Sequence, residues 1–440
     1  MSGTTEQIDT IFASASGHGR AAITVIRLSG PATRACIEQL AGSVPPDRSL
    51  RLRRLRDPDG GDLLDESLVV FMPRPATFTG EDQAELHLHG GVATRAAVLR
   101  ALGALPGCRM AEPGEFARRA FLNARLDLSR AEGLADLIDA ETDAQRRQAL
   151  KQLGGGLDQW VEDVREKLLS SMALVESALD FSDEGDVPFS VTEEVIGTLR
   201  SVERRLADAL ANPVGERIRD GFIVVLAGPP NSGKSSLLNR LARRDAAIVS
   251  PIPGTTRDAI EVHLDLGGIP LTVIDTAGLR ESHDVIEQSG MERTRARARE
   301  ADLILWLSEG GRVHAPDSLG APTLSVATKR DLSEPEEACD VAVSALTGAG
   351  VPELVSLLGE QAAKDMGSAD PLITRQRHRD AFSRALQAVR RALILLEDSA
   401  AEELVAEELR LAARAIGTVT GRVDVEDMLD RLFSTFCIGK

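Results

Sequence analysis

A chain of 440 residues, 43% hydrophobic and 27% charged, is too long for one core and too apolar for disorder, so about two to four globular domains are expected. Its net charge of −17 argues against a general polyanion binder but leaves room for a local RNA site. No apolar run approaches the ~18 residues of a membrane span. Four cysteines (Cys36, Cys108, Cys339, Cys437) lie far apart without paired spacing, and no basic-then-apolar leader is seen. A reduced, cytoplasmic protein is therefore expected.

Residues 1–123 alternate strand and helix signals. Ala22 to Leu28 reads as a strand and Pro31 to Ala41 as a short helix, while Arg51 to Arg56 and Ser67 to Met72 flank an Asp57-Pro-Asp-Gly-Gly61 turn as a hairpin. Glu85-Leu-His-Leu-His89 is a further strand, and Ala93 to Leu105 a helix. This is an α+β unit. His87 and His89 share a strand face and could begin a metal site, although no third ligand accompanies them and ordinary strand polarity explains them as well. The basic runs Arg51–Arg56 and Arg293–Arg299 read as solvated faces.

From about Leu126 to Asp220 the period becomes helical, and helical sequence resumes from Leu372 through Ile416 and again from Val425 to Phe436. Neither block alone makes a comfortable domain. One helical domain (124–220 and 367–440) carrying an inserted nucleotide domain (221–366) is the economical arrangement.

That inserted segment opens with an apolar strand, Phe222 to Ala227, followed by Gly228-Pro-Pro-Asn-Ser-Gly233-Lys234-Ser235 and a helix start. This is a phosphate-binding loop. Its glycines turn backbone N–H groups onto phosphate oxygens, Lys234 reaches the β- and γ-phosphates, and the Ser235 hydroxyl suits Mg²⁺. Thr255 and Thr256 follow in a Pro-rich loop that can complete the Mg²⁺ shell. A hairpin about Gly267-Gly268 then delivers Asp275-Thr-Ala-Gly278, with Asp275 toward Mg²⁺ and the Gly278 N–H toward the γ-phosphate. Thr328-Lys329-Arg330-Asp331 follows another strand, where the Asp331 carboxylate can accept from guanine N1–H and N2–H₂, and Ser344-Ala345 offers an N–H to guanine O6. The order of the four motifs selects GTP over ATP. Thr328 stands where Asn is usual, Leu346 where Lys or Arg is common, and Leu279 where Ras-like enzymes carry a water-orienting Gln. Glu287, on the same segment, is the candidate to hold the attacking water.

These motifs, with Asp9-Thr-Ile, Arg27-Leu-Ser-Gly, Phe78-Thr-Gly-Glu-Asp82, His89-Gly-Gly, Pro113-Gly-Glu-Phe116, Arg119-Ala-Phe-Leu-Asn123, Gly254-Thr-Thr-Arg-Asp258 and the terminal Phe436-Cys-Ile-Gly-Lys440, make the chain resemble the tRNA-modification GTPase family known as MnmE or TrmE, nearly end to end. The resemblance implies a multidomain α/β and α fold: an N-terminal α+β folate-binding-like domain (1–123), a discontinuous helical domain, and an inserted Ras-like P-loop G domain. It implies a homodimer that works with a flavin-dependent MnmG (GidA) partner as a heterotetramer, installing an aminomethyl-type group on C5 of the wobble uridine of tRNA. It places K⁺ against Asn231, with Ser250, Ile252 and Thr255 in the loop that wraps the ion, and Mg²⁺ at Ser235 and Thr256. Ser232, Gly233, Lys234 and Ser236 complete the phosphate contacts, and Glu287 matches the family's water-orienting glutamate.

By the same resemblance, Arg27, Glu85, Arg125 and Lys440 bind a reduced folate, 5-formyl- or 5,10-methylene-tetrahydrofolate, as one-carbon donor. Cys437 has three readings: a poorly fitting prenylation box, a buried structural thiol, or a catalytic cysteine near the folate. The contrasting functional class is a GTP-regulated assembly factor, for ribosomes for example, in which the flanks are docking surfaces alone.

Overall fold

The computed structural model describes residues 9–17, 19–180, 189–243, 261–275, 301–311, 314–315, 320–335, 337–366, 371–398, 402–422, 429, 432–433, 436 and 439, the side chains of 178–180, 189–192 and 365–366 excepted. The chain divides into two compact units, residues 1–135 with 420–440, and residues 136–419.

The first unit is built on six strands, β1 (Thr10–Ser14), β2 (Ile23–Ser29), β3 (Arg51–Arg56), β4 (Leu63–Met72), β5 (Gln83–His89) and β6 (Cys108–Met110), in the order β3-β4-β5-β2-β1-β6. Alternation sorts them into two faces. Ile26 and Leu28 of β2, Val69 and Phe71 of β4 and Leu86 and Leu88 of β5 point inward onto Ile37 and Leu40 of α1 (Thr33–Ala41) and Val98 and Leu102 of α2 (Val92–Gly103). Arg27, Glu85 and His87 occupy the alternate positions. The arginine-rich β3 is an edge strand, where exposed charge discourages pairing with another chain.

α3 (Glu115–Leu122) and α4 (Leu128–Asp139) follow. By compactness, residues 420–440 group with the N-terminal unit. The reason is apolar burial, since Leu429, Phe433 and Phe436 form one core with Ala117, Leu128 and Ala131. Gly439, at φ +101°, approaches so closely that a Cβ there would sit 2.2 Å from the Ser14 carbonyl oxygen, so no other residue fits.

In the second unit, α5 (Asp143–Leu153), α6 (Gly156–Asp180), α7 (Phe189–Leu210) and α8 (Val214–Asp220) precede the second sheet. Its strands are β7 (Phe222–Ala227), β8 (Glu261–Leu266), β9 (Ile269–Asp275), β10 (Leu303–Glu309), β11 (Thr323–Thr328) and β12 (Val341–Ala342), in the order β12-β11-β10-β7-β9-β8. All neighbours are parallel except β8 and β9, which form the expected hairpin. α9 (Lys234–Ala242) and α10 (Val351–Met366) complete its core with Leu237, Leu241, Leu354 and Leu358. α11 (Gln376–Glu397) and α12 (Glu402–Gly417) then return to α6 and α7. Val161, Leu168, Leu199, Phe382, Val389, Leu409 and Ile416 share one core, and Trp160 stacks on Phe382 with centroids 4.9 Å apart. Helices on either side of the sheet segment in sequence therefore have a common interior.

The first unit also holds a buried ionic chain. Glu115 accepts from both Arg109 nitrogens at 2.8 and 2.7 Å, from the Glu112 amide at 2.9 Å and from Arg119 at 3.0 Å, and Arg119 continues to Glu81, which Ser29 meets at 2.7 Å. Burial pushes the Glu115 carboxyl up, but Arg109, the Glu112 amide and Arg119 outweigh it and hold the carboxyl below the ordinary glutamate range. The stabilisation is thus present above the unfolded glutamate pKa of about 4.3 and is lost as pH falls through the lower folded value. Glu115→Ala should destabilise this unit by about 3 kcal/mol at neutral pH, because two guanidinium groups each lose one of their carboxylate partners. In acid-unfolding scans of the full chain the gap between wild type and variant should narrow as pH drops below about 4; a constant gap would show that packing alone is responsible.

Candidate nucleotide site and an Arg27–Glu85 constellation

β7 lies between β9 and β10, so its carboxyl end opens at a switch point of the parallel sheet, where such folds receive ligands. The loop from Gly228 to Gly233 leaves that end and α9 begins at Lys234. Gly228 (φ +143°) passes so close to β10 that a Cβ would lie 2.1 Å from the Leu307 carbonyl oxygen, so this glycine fixes the loop's path. Asn231 is exposed and holds a left-handed backbone at φ +63°. Lys234 is only 8% exposed, and its ammonium donates to the Gly228 and Pro229 carbonyls at 2.9 and 2.8 Å and to Ser232 Oγ at 3.4 Å. A buried cation thus holds the loop through three donors that can equally serve a phosphate.

The Ser235 hydroxyl donates to Asp275 Oδ2 at 2.6 Å, and Asp275, the last residue of β9, is buried. A hydroxyl and a carboxylate converging beside the phosphate loop are hard oxygen donors of the kind Mg²⁺ selects, so the residues fit that ion. Ser236 is exposed in the first turn of α9.

The base side forms at the carboxyl ends of β11 and β12. Thr328 ends β11, buried, and its hydroxyl donates to the Ser308 carbonyl at 3.2 Å. Its Cβ lies 3.9 Å from where a Cβ on Gly233 would stand, so the residue in the usual Asn position touches the phosphate loop by packing. Lys329 (φ +59°) pairs with Glu309 at 2.6 Å. The fully buried Ser344 hydroxyl donates to Asp331 Oδ1 at 2.5 Å, and Ala345 follows it directly. The structure thereby brings together Ser232, Gly233, Lys234, Ser235 and Asp275 at the phosphate end and Thr328, Asp331, Ser344 and Ala345 at the base end. Ser250, Ile252, Thr255, Thr256, Gly278 and Glu287 lie outside the described residues.

In the first unit, Arg27 and Glu85 face each other in register on β2 and β5, and Arg27 Nε and Nη2 donate to Glu85 Oε1 at 3.2 and 3.0 Å. The other Glu85 oxygen meets His87 Nε2 at 3.3 Å. Phe78 and Phe116 place ring centroids 6.0 Å from the Arg27 guanidinium. Sequence reading assigned no role to these aromatics, although Phe78 opens and Phe116 closes two of the quoted motifs. Arg125 is exposed, its stem against Gly80 two residues beyond Phe78. His89 binds Asp65 instead of sharing a site with His87, at 2.7 Å. Burial raises the Asp65 carboxyl, but the His89 contacts and Ser67 hold it below the ordinary aspartate range. Among the described residues, no group of three or more His, Cys, Asp or Glu is arranged to hold a metal ion. Cys437 and Lys440 lie outside the described residues. No helix among those described is long and apolar enough to cross a membrane.

Residues 128–437 match the family model of the MnmE helical domain, and residues 10–125 that of the GTP-binding protein TrmE N-terminus. The tRNA modification GTPase MnmE of Methylobacterium sp. (strain 4-46) is 58% identical over 441 residues, covering 98% of this chain and 100% of that protein. That of Azorhizobium caulinodans is 52% identical over 439 residues, covering 99% and 100%. A solved FeoB G domain from Methanococcus jannaschii is 21% identical, covers 32% of this chain and 97% of its own, and has a TM-score of 0.24, too low to add weight. With both family models matched in tandem and more than half of all positions shared with a full-length relative, the chain belongs to the tRNA modification GTPase MnmE family.

Proposed function

We propose that this chain binds and hydrolyses GTP and that the hydrolysis serves tRNA modification, the activity for which its relatives are named. The Ser344–Asp331 bond carries the reading: it aims a carboxylate from the sheet end that also holds the Lys234 loop. Asp331 accepts from guanine N1–H and N2–H₂ and the Ala345 amide donates to O6, a pattern adenine cannot satisfy. Lys234 exchanges its two loop carbonyls for phosphate oxygens.

Ser235 and Thr256 hold Mg²⁺ with Asp275 beside it, and Asn231, Ser250, Ile252 and Thr255 hold K⁺. The two cations supply positive charge where charge develops on the transferring phosphoryl group. Glu287 orients the attacking water that Leu279 cannot. In the N-terminal unit Glu85 suits the 2-amino-4-oxo edge of a reduced folate, and Arg27, Arg125 and Lys440 suit its anionic tail. The full reaction takes place in the cytoplasm, in a homodimer working with an MnmG-type flavoprotein on the wobble uridine. The helical domain carries the G domain as an insertion, because the helices before and after it share a core.

Asp331→Asn should weaken GTP binding by about two to three orders of magnitude, each charged hydrogen bond contributing about 1.5–3 kcal/mol. It should gain affinity for xanthosine triphosphate, whose O2 accepts where guanine donates; unchanged GTP affinity by nucleotide titration would remove Asp331 from the base site. Glu287→Ala should retain GTP affinity while turnover in K⁺ falls by about 10²-fold or more, and undiminished single-turnover hydrolysis would assign the water to another residue. The folate reading is checked by titrating the full chain with 5-formyltetrahydrofolate. Saturable binding that Arg27→Ala weakens at least tenfold is expected; no saturable binding by the intact chain would favour an assembly factor.

A further inference from the structure

Cys36 and Cys108 are 72 residues apart in sequence, yet their sulfur atoms lie 3.1 Å from each other. Cys36 is on the inner face of α1 and buried, packed among Leu28, Ile37 and Leu40. Cys108 begins β6 and is half-exposed. The pair is therefore asymmetric, one thiol reachable from solvent and the other immediately behind it. The hydrogen bond from Cys36 favours the Cys108 thiolate, while the same contact and burial push the Cys36 thiol up. A solvent-reachable thiol with a second thiol in contact behind it is the arrangement on which reversible thiol oxidation to a disulfide depends.

We propose that Cys36 and Cys108 form an oxidation site, with Cys108 the thiol that meets a hydroperoxide and Cys36 the thiol that resolves it into an intramolecular disulfide. The Cys108 thiolate attacks a peroxide oxygen: an S–O bond forms, the O–O bond breaks, and the departing hydroxide takes a proton to leave as water. The Cys36 sulfur, giving up its proton, then attacks Cys108, forming S–S and breaking S–O as a second water leaves. Two thiols are oxidised by two electrons and one peroxide is reduced. The sulfurs need approach by only about 1 Å to reach a bond of ~2.05 Å. Arg109, beside Cys108, anchors Glu115 and Asp9, so the bond would tie α1 to the strand that roots the ionic chain.

The test treats the reduced full-length protein with hydrogen peroxide, alkylates it, and maps peptides without reductant. The expected result is loss of two of the four thiols as a Cys36–Cys108 link that dithiothreitol reverses, at a dose leaving Cys339 reduced. In Cys36→Ser, dimedone should capture a sulfenic acid at Cys108; if that variant does not fold, the wild-type map decides alone. Oxidation of Cys339 while Cys36 and Cys108 stay alkylatable would overturn the proposal. So would Cys108 linked to any other cysteine.

Discussion

The second unit depends on one carboxylate. Asp136, 17% exposed, accepts from Arg375 at 2.6 Å and Arg219 at 3.3 Å, the arginines standing just after and just before the segment that forms the second sheet. Two guanidinium groups on one carboxylate therefore hold together the residues that lead into the second sheet and those that follow it. Neighbouring contacts repeat the constraint: Arg379 chelates Glu216 at 3.0 and 2.7 Å, and Gln148 donates to the Gly215 carbonyl at 2.8 Å. At this degree of burial, parting these groups would leave charge poorly solvated, so the contacts hold the lead-in and lead-out segments together.

The same region reaches the nucleotide site by a short path. α5 opens with a capping box, Thr142 with Gln145, and Gln145 also donates to the Arg219 carbonyl at 3.1 Å. The Ala144 amide donates to the Gly268 carbonyl at 3.3 Å, in the turn between β8 and β9. β9 is then a single strand with that turn at one end and Asp275, bonded to Ser235, at the other. β9 and the turn before it thus connect the phosphate end with α5 through hydrogen bonds.

What could be read from sequence was what is local in sequence. The phosphate loop declares itself because strand, loop and helix adjoin, and the hairpin about Gly267-Gly268 because a two-glycine turn fixes its register. The helical period runs from Leu372 to Ile416, whereas α11 ends at Glu397 and α12 starts at Glu402, and both pack on α6 and α7. β1 was legible only as a motif fragment, since five residues between other strands carry little pattern. The Cys36–Cys108 approach and the seating of Phe433 and Phe436 on α3 and α4 are set by tertiary packing, which spacing cannot register. Ser344 is legible in sequence only as the neighbour of Ala345; its hydroxyl reaches Asp331 because β12 pairs with β11.

The Arg27–Glu85 pair sharpens what a ligand in the first unit must do. With side chains 27% and 22% exposed, the two ions already satisfy each other, and His87 engages the remaining carboxylate oxygen. A neutral ligand that merely filled the space would leave the pair intact and gain little specificity. A ligand offering donors to Glu85 and an anion to Arg27 replaces one internal contact with two external ones, so the exchange is favourable only if both ends are present. Phe78 and Phe116 flank the guanidinium, each with its ring centroid 6.0 Å away. On the folate reading proposed above, Glu85 must trade its Arg27 and His87 contacts for the donors of the pterin edge, a stricter demand than an unpaired carboxylate would impose.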